Sequence, residues 1–178
     1  MKSARSVFVG AGLLVLACVV APAAAAAQPV SQPGVGVAAT CTIVNGSADR
    51  SCTPGVFNPD VTQATINSTI CVPGWTKTVR PPASYTTGLK NTQKIDYGEA
   101  NISNAALEED HLVSLELGGA PRDPHNLWPE PRTSAGTAPS GRAAEDKDRE
   151  ENALKANICN GSMTLSQGRQ AILAHWTH

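Results

Sequence analysis

The residues best suited to chemistry lie in one run, EEDHLVSLELGGAPRDPHNLWPEP, from Glu108 to Pro131. Asp110 and His111 stand side by side near its start, Asn126 follows fifteen residues after the histidine, and a charged segment, KDREEN, begins at Lys147. An imidazole can take a proton near neutral pH, so histidine is a residue type suited to general-base work. Carboxylate and amide oxygens, of which this run and the charged segment hold several, are the donors that a hard divalent cation prefers. An isolated Asp-His pair at a strand start is more often a hydrogen-bonded structural pair, so the surrounding pattern has to carry the reading.

That pattern consists of the elements that would position these side chains. From His111 to Leu117 the alternation puts Leu112 on one face and His111, Val113, Leu115 and Leu117 on the other, as in a strand. Gly118-Gly119 and the stretch Pro121 to Pro124 form a loop, and Asn126-Leu127-Trp128 begins a returning strand. After a polar stretch rich in Gly, Pro and Ser, AAEDKDREENALKANIC (residues 143–159) has the pattern of a helix. On that helix Asp148 and Asn152 are four apart and share a face, while Lys147 and Glu151 form the neighbouring row. Those charges also fit a plain solvated face with (i, i+4) pairs. The order is strand, loop, strand, helix.

The sequence D-H-L-V-x-L-x-L-G-G, then N-L-W-P-E, then a helix with K-D-x-x-E-N, resembles the ββα-metal core of HNH-type nucleases. It is similar in particular to small secreted actinobacterial proteins with an HNH-like core. The resemblance spans about residues 108–157 and implies an α+β fold, a small disulfide-braced domain built on the ββα-metal core, acting on nucleic acid as an HNH-type endonuclease. It gives His111 the role of activating water for phosphodiester hydrolysis. One divalent cation, magnesium first with manganese or calcium as alternatives, would sit on Asp110 and Asn152 with Glu151 in reserve, neutralising charge on the phosphate. Asn126, the middle residue of the motif, would hold the hairpin and orient His111 through a hydrogen bond, and Lys147 would reach the phosphate. Two departures stand out: the stretch from Asn126 to the helix is longer than in compact HNH domains, and the third position is Asn152 rather than a histidine. A different class of function, an extracellular binding or structural protein that keeps the scaffold without turnover, is the main alternative. A secreted toxin is a third.

The front of the chain speaks to compartment. Lys2 and Arg5 give a basic start, Ser6 to Ala21 is almost wholly apolar, and APAAAAAQP supplies a small-residue cleavage site near Ala27, so residues 1–27 read as an export signal. The apolar run is shorter than the ~20 residues a bilayer span needs and breaks at Pro22. Val15 to Cys18 resembles a lipobox, which would anchor the protein through Cys18, but the apolar residues beyond Cys18 argue against it. The expectation is a secreted monomer with no other membrane contact. Without Lys2 and Arg5 the 14 basic side chains fall to 12 against 15 acidic ones, a formal charge of −3. No bulk basic field draws nucleic acid to such a chain, so phosphate recognition has to be local and helped by a cation.

Four cysteines follow Cys18, and in an oxidising compartment an even number reads as two disulfides. Of the three possible pairings the preferred one joins Cys41 to Cys52 across a local loop and Cys71 to Cys159, tying early strands to the C-terminal helices. A cysteine metal site lacks C-x-x-C spacing. Residues 28–50 read as a flexible Pro/Gly/Ala-rich leader and 51–178 as a single domain. Within it, Val61 to Arg80 reads as two short strands about a Pro73-Gly74 turn, and Ser84 to Gly98 as a helix with Leu89 and Ile95 inward. Thr164-x-x-Gln167 is a capping-box pattern before an amphipathic helix carrying Leu165, Ile172 and Trp176. Trp75, Trp128 and Trp176 are expected in the core, His125 in a loop, and His175 and His178 show no partner pattern.

Overall fold

The computed structural model describes residues 40–136 and 138–178. The expected export signal and Cys18 lie outside them. Among the described residues no helix is long and apolar enough to cross a membrane. The described residues form a small mixed α+β domain with two two-stranded antiparallel sheets, four α-helices and two disulfides. In order these are β1 (Ile43–Val44), β2 (Ser47–Ala48), α1 (Trp75–Val79), α2 (Ala83–Asp96), β3 (Leu107–His111), β4 (Leu127–Pro131), α3 (Ala144–Cys159) and α4 (Leu165–Trp176).

Of residues 28–50, expected as a flexible leader, 28–39 lie outside the described residues and 40–50 are held in place. The N–H groups of Thr40 and Cys41 both donate to Asp96 O at 2.9 Å, Cys41 is bonded to Cys52, and Ala48 bridges to Thr177 at the far end of the chain. Residues 40–50 are thus stitched to both α2 and the C-terminus.

The two strands expected between Val61 and Arg80 are a 3₁₀ turn at Ile66–Ser68 and the short helix α1. Threonine hydroxyls decide this locally: Thr65 Oγ1 donates to Asp60 O at 2.8 Å and Thr69 Oγ1 to Thr65 O at 2.7 Å. Such side-chain bonds satisfy the carbonyls that a sheet partner would otherwise have to meet. Pro81 then ends α1, since the residue before a proline is pushed out of helical geometry, and Arg80 is extended at φ −58°, ψ 129°.

Helix α2 falls where its pattern placed it, but its inward face is polar. Ile95 is exposed, whereas Lys94 is buried. The ammonium of Lys90 donates to Asn104 O and Leu107 O at 2.9 Å each, and Gln93 Nε2 to Pro124 O and Leu127 O at 3.0 and 2.9 Å. The helix therefore grips the entry of β3 and of β4 by hooking backbone carbonyls rather than by an apolar stripe.

Strands β3 and β4 pair antiparallel from Leu107 opposite Pro131 to His111 opposite Leu127. Pairing stops there because β4 has no further residues to offer. Beyond it the amide of Asn126 takes over: its Oδ1 accepts from Val113 N at 3.0 Å and its Nδ2 donates to Val113 O at 3.0 Å and Ala120 O at 3.1 Å. The side chain imitates one more peptide unit of the strand. Leu115–Leu117, expected to continue the strand, instead form a 3₁₀ turn with both leucines buried. Gly119 has to be glycine, since a Cβ there would lie 1.7 Å from Val113 O.

The core joins Ile70, Leu112, Leu117, Trp128, Leu154, Ile158, Ile172 and Trp176. Trp128 and Trp176 are buried as expected, and Trp75 packs partly buried against them. The Thr164–Gln167 capping box is present: Gln167 N donates to Thr164 Oγ1 at 3.2 Å and Thr164 N to Gln167 Oε1 at 2.9 Å. Cys71 is bonded to Cys159, tying the loop before α1 to the last residue of α3.

The two disulfides differ in what they constrain. Cys71–Cys159 closes 88 residues of sequence and Cys41–Cys52 only 11. Replacing both Cys71 and Cys159 by serine should lower the unfolding free energy by about 2–5 kcal/mol, and the Cys41/Cys52 pair by less, because loop-closure entropy grows with loop length. Urea denaturation of the two double variants measures both.

Candidate active site

Three carboxylates reach one face of the β3–β4 hairpin. Glu108 and Asp110 alternate on β3, and Glu130 lies opposite Glu108 on β4, so all three project on the same side as Trp128. Helix α3 crosses that side. Its Lys147 is 1% exposed and uses all three ammonium hydrogens: to Asp110 Oδ2 at 2.5 Å, to His111 O at 2.9 Å, and to Glu151 on its own helix. Burial opposes the ammonium, yet the carboxylates around it, Asp110 foremost and Glu151 after it, outweigh that cost and hold Lys147 protonated well above the ordinary lysine value.

The carboxylates respond to the same cluster in opposite directions. Burial pushes Asp110 up, but Lys147 and hydrogen bonds from Glu130 and Lys147 more than offset it, so Asp110 ionises below its usual value. Glu130 is fully buried, and burial together with the Asp110 charge raises it well above the carboxylate range. As a carboxylate it has no donor to satisfy it; as the acid it donates to Asp110, and that is the form its surroundings favour. Burial raises Glu151 to about 8.

His111 closes the end of β3 and is buried. Its Nε2 lies 3.0 Å from Pro121 O. A carbonyl oxygen can only accept, so Nε2 carries the hydrogen and Nδ1 holds the free lone pair. Burial lowers the pKa of the ring and outweighs the adjacent Asp110, which favours the neutral imidazole. The contact expected from Asn126 to this ring is replaced by the Pro121 carbonyl. Asn126 acts one step removed, by fixing the loop whose end is Pro121.

Asp110 and His111 open together onto a polar cleft of about 160 Å³ whose walls also carry Arg80, Glu108, Asp148, Glu151 and Asn152. The cleft thus gathers all three expected ligands and the expected base. Lys147 is the exception. The expectation that it reaches a phosphate is corrected: its donors are committed inside the protein. Glu151 is partly committed too, since one of its oxygens holds Lys147. Asn152 Nδ2 donates to Asp148 O at 2.7 Å, so its amide oxygen is the atom left for a ligand. His125 is an exposed loop residue paired with Asp123 at 3.1 Å, and His175 pairs with Glu150 at 2.6 Å, away from the cleft.

Among the described residues no three His, Cys, Asp or Glu side chains converge to hold an ion by themselves. The donor chemistry nonetheless fits a hard divalent cation. Magnesium is commonly held through one or two carboxylates, with water and phosphate oxygens completing its shell, and Asp110 from β3 with Asp148 and the Asn152 amide from α3, all lining this cleft, offers such a set.

Two residues that shape the site were missed from sequence, Glu130 buried behind Asp110 and Arg80 on the cleft itself. Glu130 stands in N-L-W-P-E as if it were an exposed strand end, and only the register with Glu108 reveals its place. Arg80 lies well upstream and no spacing connects it to His111, although the X-Pro-Pro break that extends it was visible. Comparison with protein-family models, with curated proteins and with solved structures finds no match.

Three outcomes are expected from this geometry. Lys147→Ala should cost about 3–5 kcal/mol in chemical denaturation, because it leaves Asp110 and Glu151 without their buried counter-charge. Asp148→Ala, on the exposed face of α3, should cost less than about 0.5 kcal/mol. Long-range ¹H–¹⁵N correlation spectra should show His111 protonated at Nε2 and bare at Nδ1 at neutral pH; the opposite tautomer contradicts the Pro121 bond.

Proposed function

We propose that this protein is an exported, metal-dependent nuclease of the HNH type, and that β3, the loop through Gly118-Gly119, β4 and α3 form its ββα-metal core. The observation that carries this reading is the imidazole of His111, tautomer-locked by Pro121 O and opening into the cleft shared by Asp110 and Asn152. Two disulfides support an oxidising compartment.

In this reading His111 Nδ1 takes the proton from the attacking water, and the Nε2–H bond to Pro121 holds the ring as charge develops on it. Asp110 and Asn152 hold a divalent cation, with Asp148 and Glu151 beside them. The cation supplies charge neutralisation on the phosphate and on the departing oxygen. Lys147 is a positioning residue: it aims Asp110 and bonds the His111 carbonyl, holding the two functional residues in a fixed relation. A cleft with a catalytic base, acidic walls and one free arginine suits a phosphodiester, whose charge a metal would offset where it meets the acidic wall.

One observation favours the non-catalytic alternative, a binding protein that retains this scaffold. Lys147 neutralises Asp110 from within, which lessens the pull of that carboxylate on a cation. The two readings separate cleanly by mutation. His111→Ala should leave the circular dichroism spectrum and the calorimetric affinity for magnesium or manganese nearly unchanged while lowering cleavage by roughly 10²–10⁴-fold. Asp110→Ala and Asn152→Ala should each weaken the ion's affinity. Full activity in a folded His111→Ala protein would sink the mechanism. Absence of any ion binding by the wild type would favour the scaffold-only reading.

A further inference from the structure

The cleft that holds His111 and Asp110 has a second limb. It runs between α2 and β3, encloses about 280 Å³, and is lined by Arg80, Thr86, Thr87, Lys90, Glu109 and Arg132, among others. Arg80, Glu108 and His111 belong to both limbs, so the two meet at the candidate base. Their charges differ sharply. The limb toward α3 sets Arg80 against Glu108, Asp110, Glu116, Asp148 and Glu151. The limb toward α2 sets Arg80, Lys90 and Arg132 against Glu108 and Glu109.

The basic side chains of the second limb are not equivalent. Lys90 is tethered to backbone carbonyls, and Arg132 pairs with Glu108 and, at 3.6 Å, with Glu145. Arg80 is exposed, and among the described residues its guanidinium has no hydrogen-bond or ion-pair partner. It lies close enough to His111 for its charge to disfavour the protonated ring. A planar fork of donors, unpaired and beside a general base, matches the oxygens of a phosphate. Thr87 adds an exposed hydroxyl on the wall of α2.

We propose that the α2 limb is the subsite for the nucleotide next to the scissile phosphate of an extended nucleic-acid strand, with Arg80 clasping that phosphate at the junction. This rests on the nuclease reading for the identity of the strand. It goes further in assigning a polarity to the groove: the acidic limb takes the cation, and the cationic limb takes the sugar-phosphate chain. A chain with no bulk basic field thereby concentrates its attraction for phosphate on one side of the base.

Binding can be read apart from cleavage. Fluorescence anisotropy of a labelled single-stranded oligonucleotide, in EDTA so that nothing is cut, should show Arg80→Ala and Thr87→Glu each weakening binding about tenfold. Ser166→Glu, which adds the same charge on an exposed residue of α4 lining a different groove, should stay within twofold. Arg80→Ala should also reduce the slope of log affinity against log salt by about one, as loss of one phosphate contact does. Wild-type affinity in Arg80→Ala and Thr87→Glu, equal weakening by Ser166→Glu, or no binding by the wild type would each overturn the subsite. Binding with the expected losses but no cleavage in magnesium or manganese would retain the subsite and reject the catalytic reading.

Discussion

The arrangement of the cleft depends on one buried ammonium. Lys147 brings a positive charge to 1% exposure between two strands and a helix, and it is tolerable there only because Asp110, Glu151 and the His111 carbonyl take all its hydrogens. An ion pair withdrawn from water contributes little net stability, yet breaking it is costly, since the partner is then left charged and dry. Its effect is one of position. Helix α3 is otherwise held at its far end by Leu154, Ile158 and the Cys159 disulfide. Lys147 fixes the near end to the hairpin, and Asp148 and Asn152, on the adjacent stripe of the same helix, come to the cleft wall as a consequence.

The second constraint is the absence of a longer partner for β3. An apolar alternation through Leu117 looks like strand, but a strand needs a ladder, and the ladder ends at His111 opposite Leu127. Asn126 resolves this by presenting a side-chain amide where the next peptide would have been. The loop it fixes carries Pro121, whose carbonyl holds the His111 ring. Asn126 thus influences the imidazole through backbone geometry and not by touching it.

How much of this could be read from the amino acids follows from the range of each interaction. The helix of residues 144–159, the capping box at Thr164, the returning strand after Asn126 and both disulfide pairings were legible, because each depends on local pattern or on a small number of choices. The proximity of Asp110, His111 and Asn152 was legible only through the resemblance of the motif. What escaped was decided by unlike neighbours. The threonine-rich stretch from Val61 has strand composition, but its hydroxyls close turns on their own backbone. The Lys90, Gln93 and Lys94 face of α2 looks like a solvent face, and it turns inward because carbonyls from other segments await it. Lys147 was read as a surface cation for the same reason: a row of alternating charges does not say which of them is buried.

The central claim is hydrolysis of nucleic acid at this cleft, and the most direct measurement uses the oxidised protein without substitution. Purified protein is incubated with plasmid DNA and, separately, with RNA, in magnesium, in manganese and in excess EDTA, and the products are followed on gels. Cleavage of at least one of the two nucleic acids that requires the divalent ion and stops in EDTA is the expected result. Intact plasmid and intact RNA in both metals, from a protein shown to be folded with both disulfides formed, would contradict it.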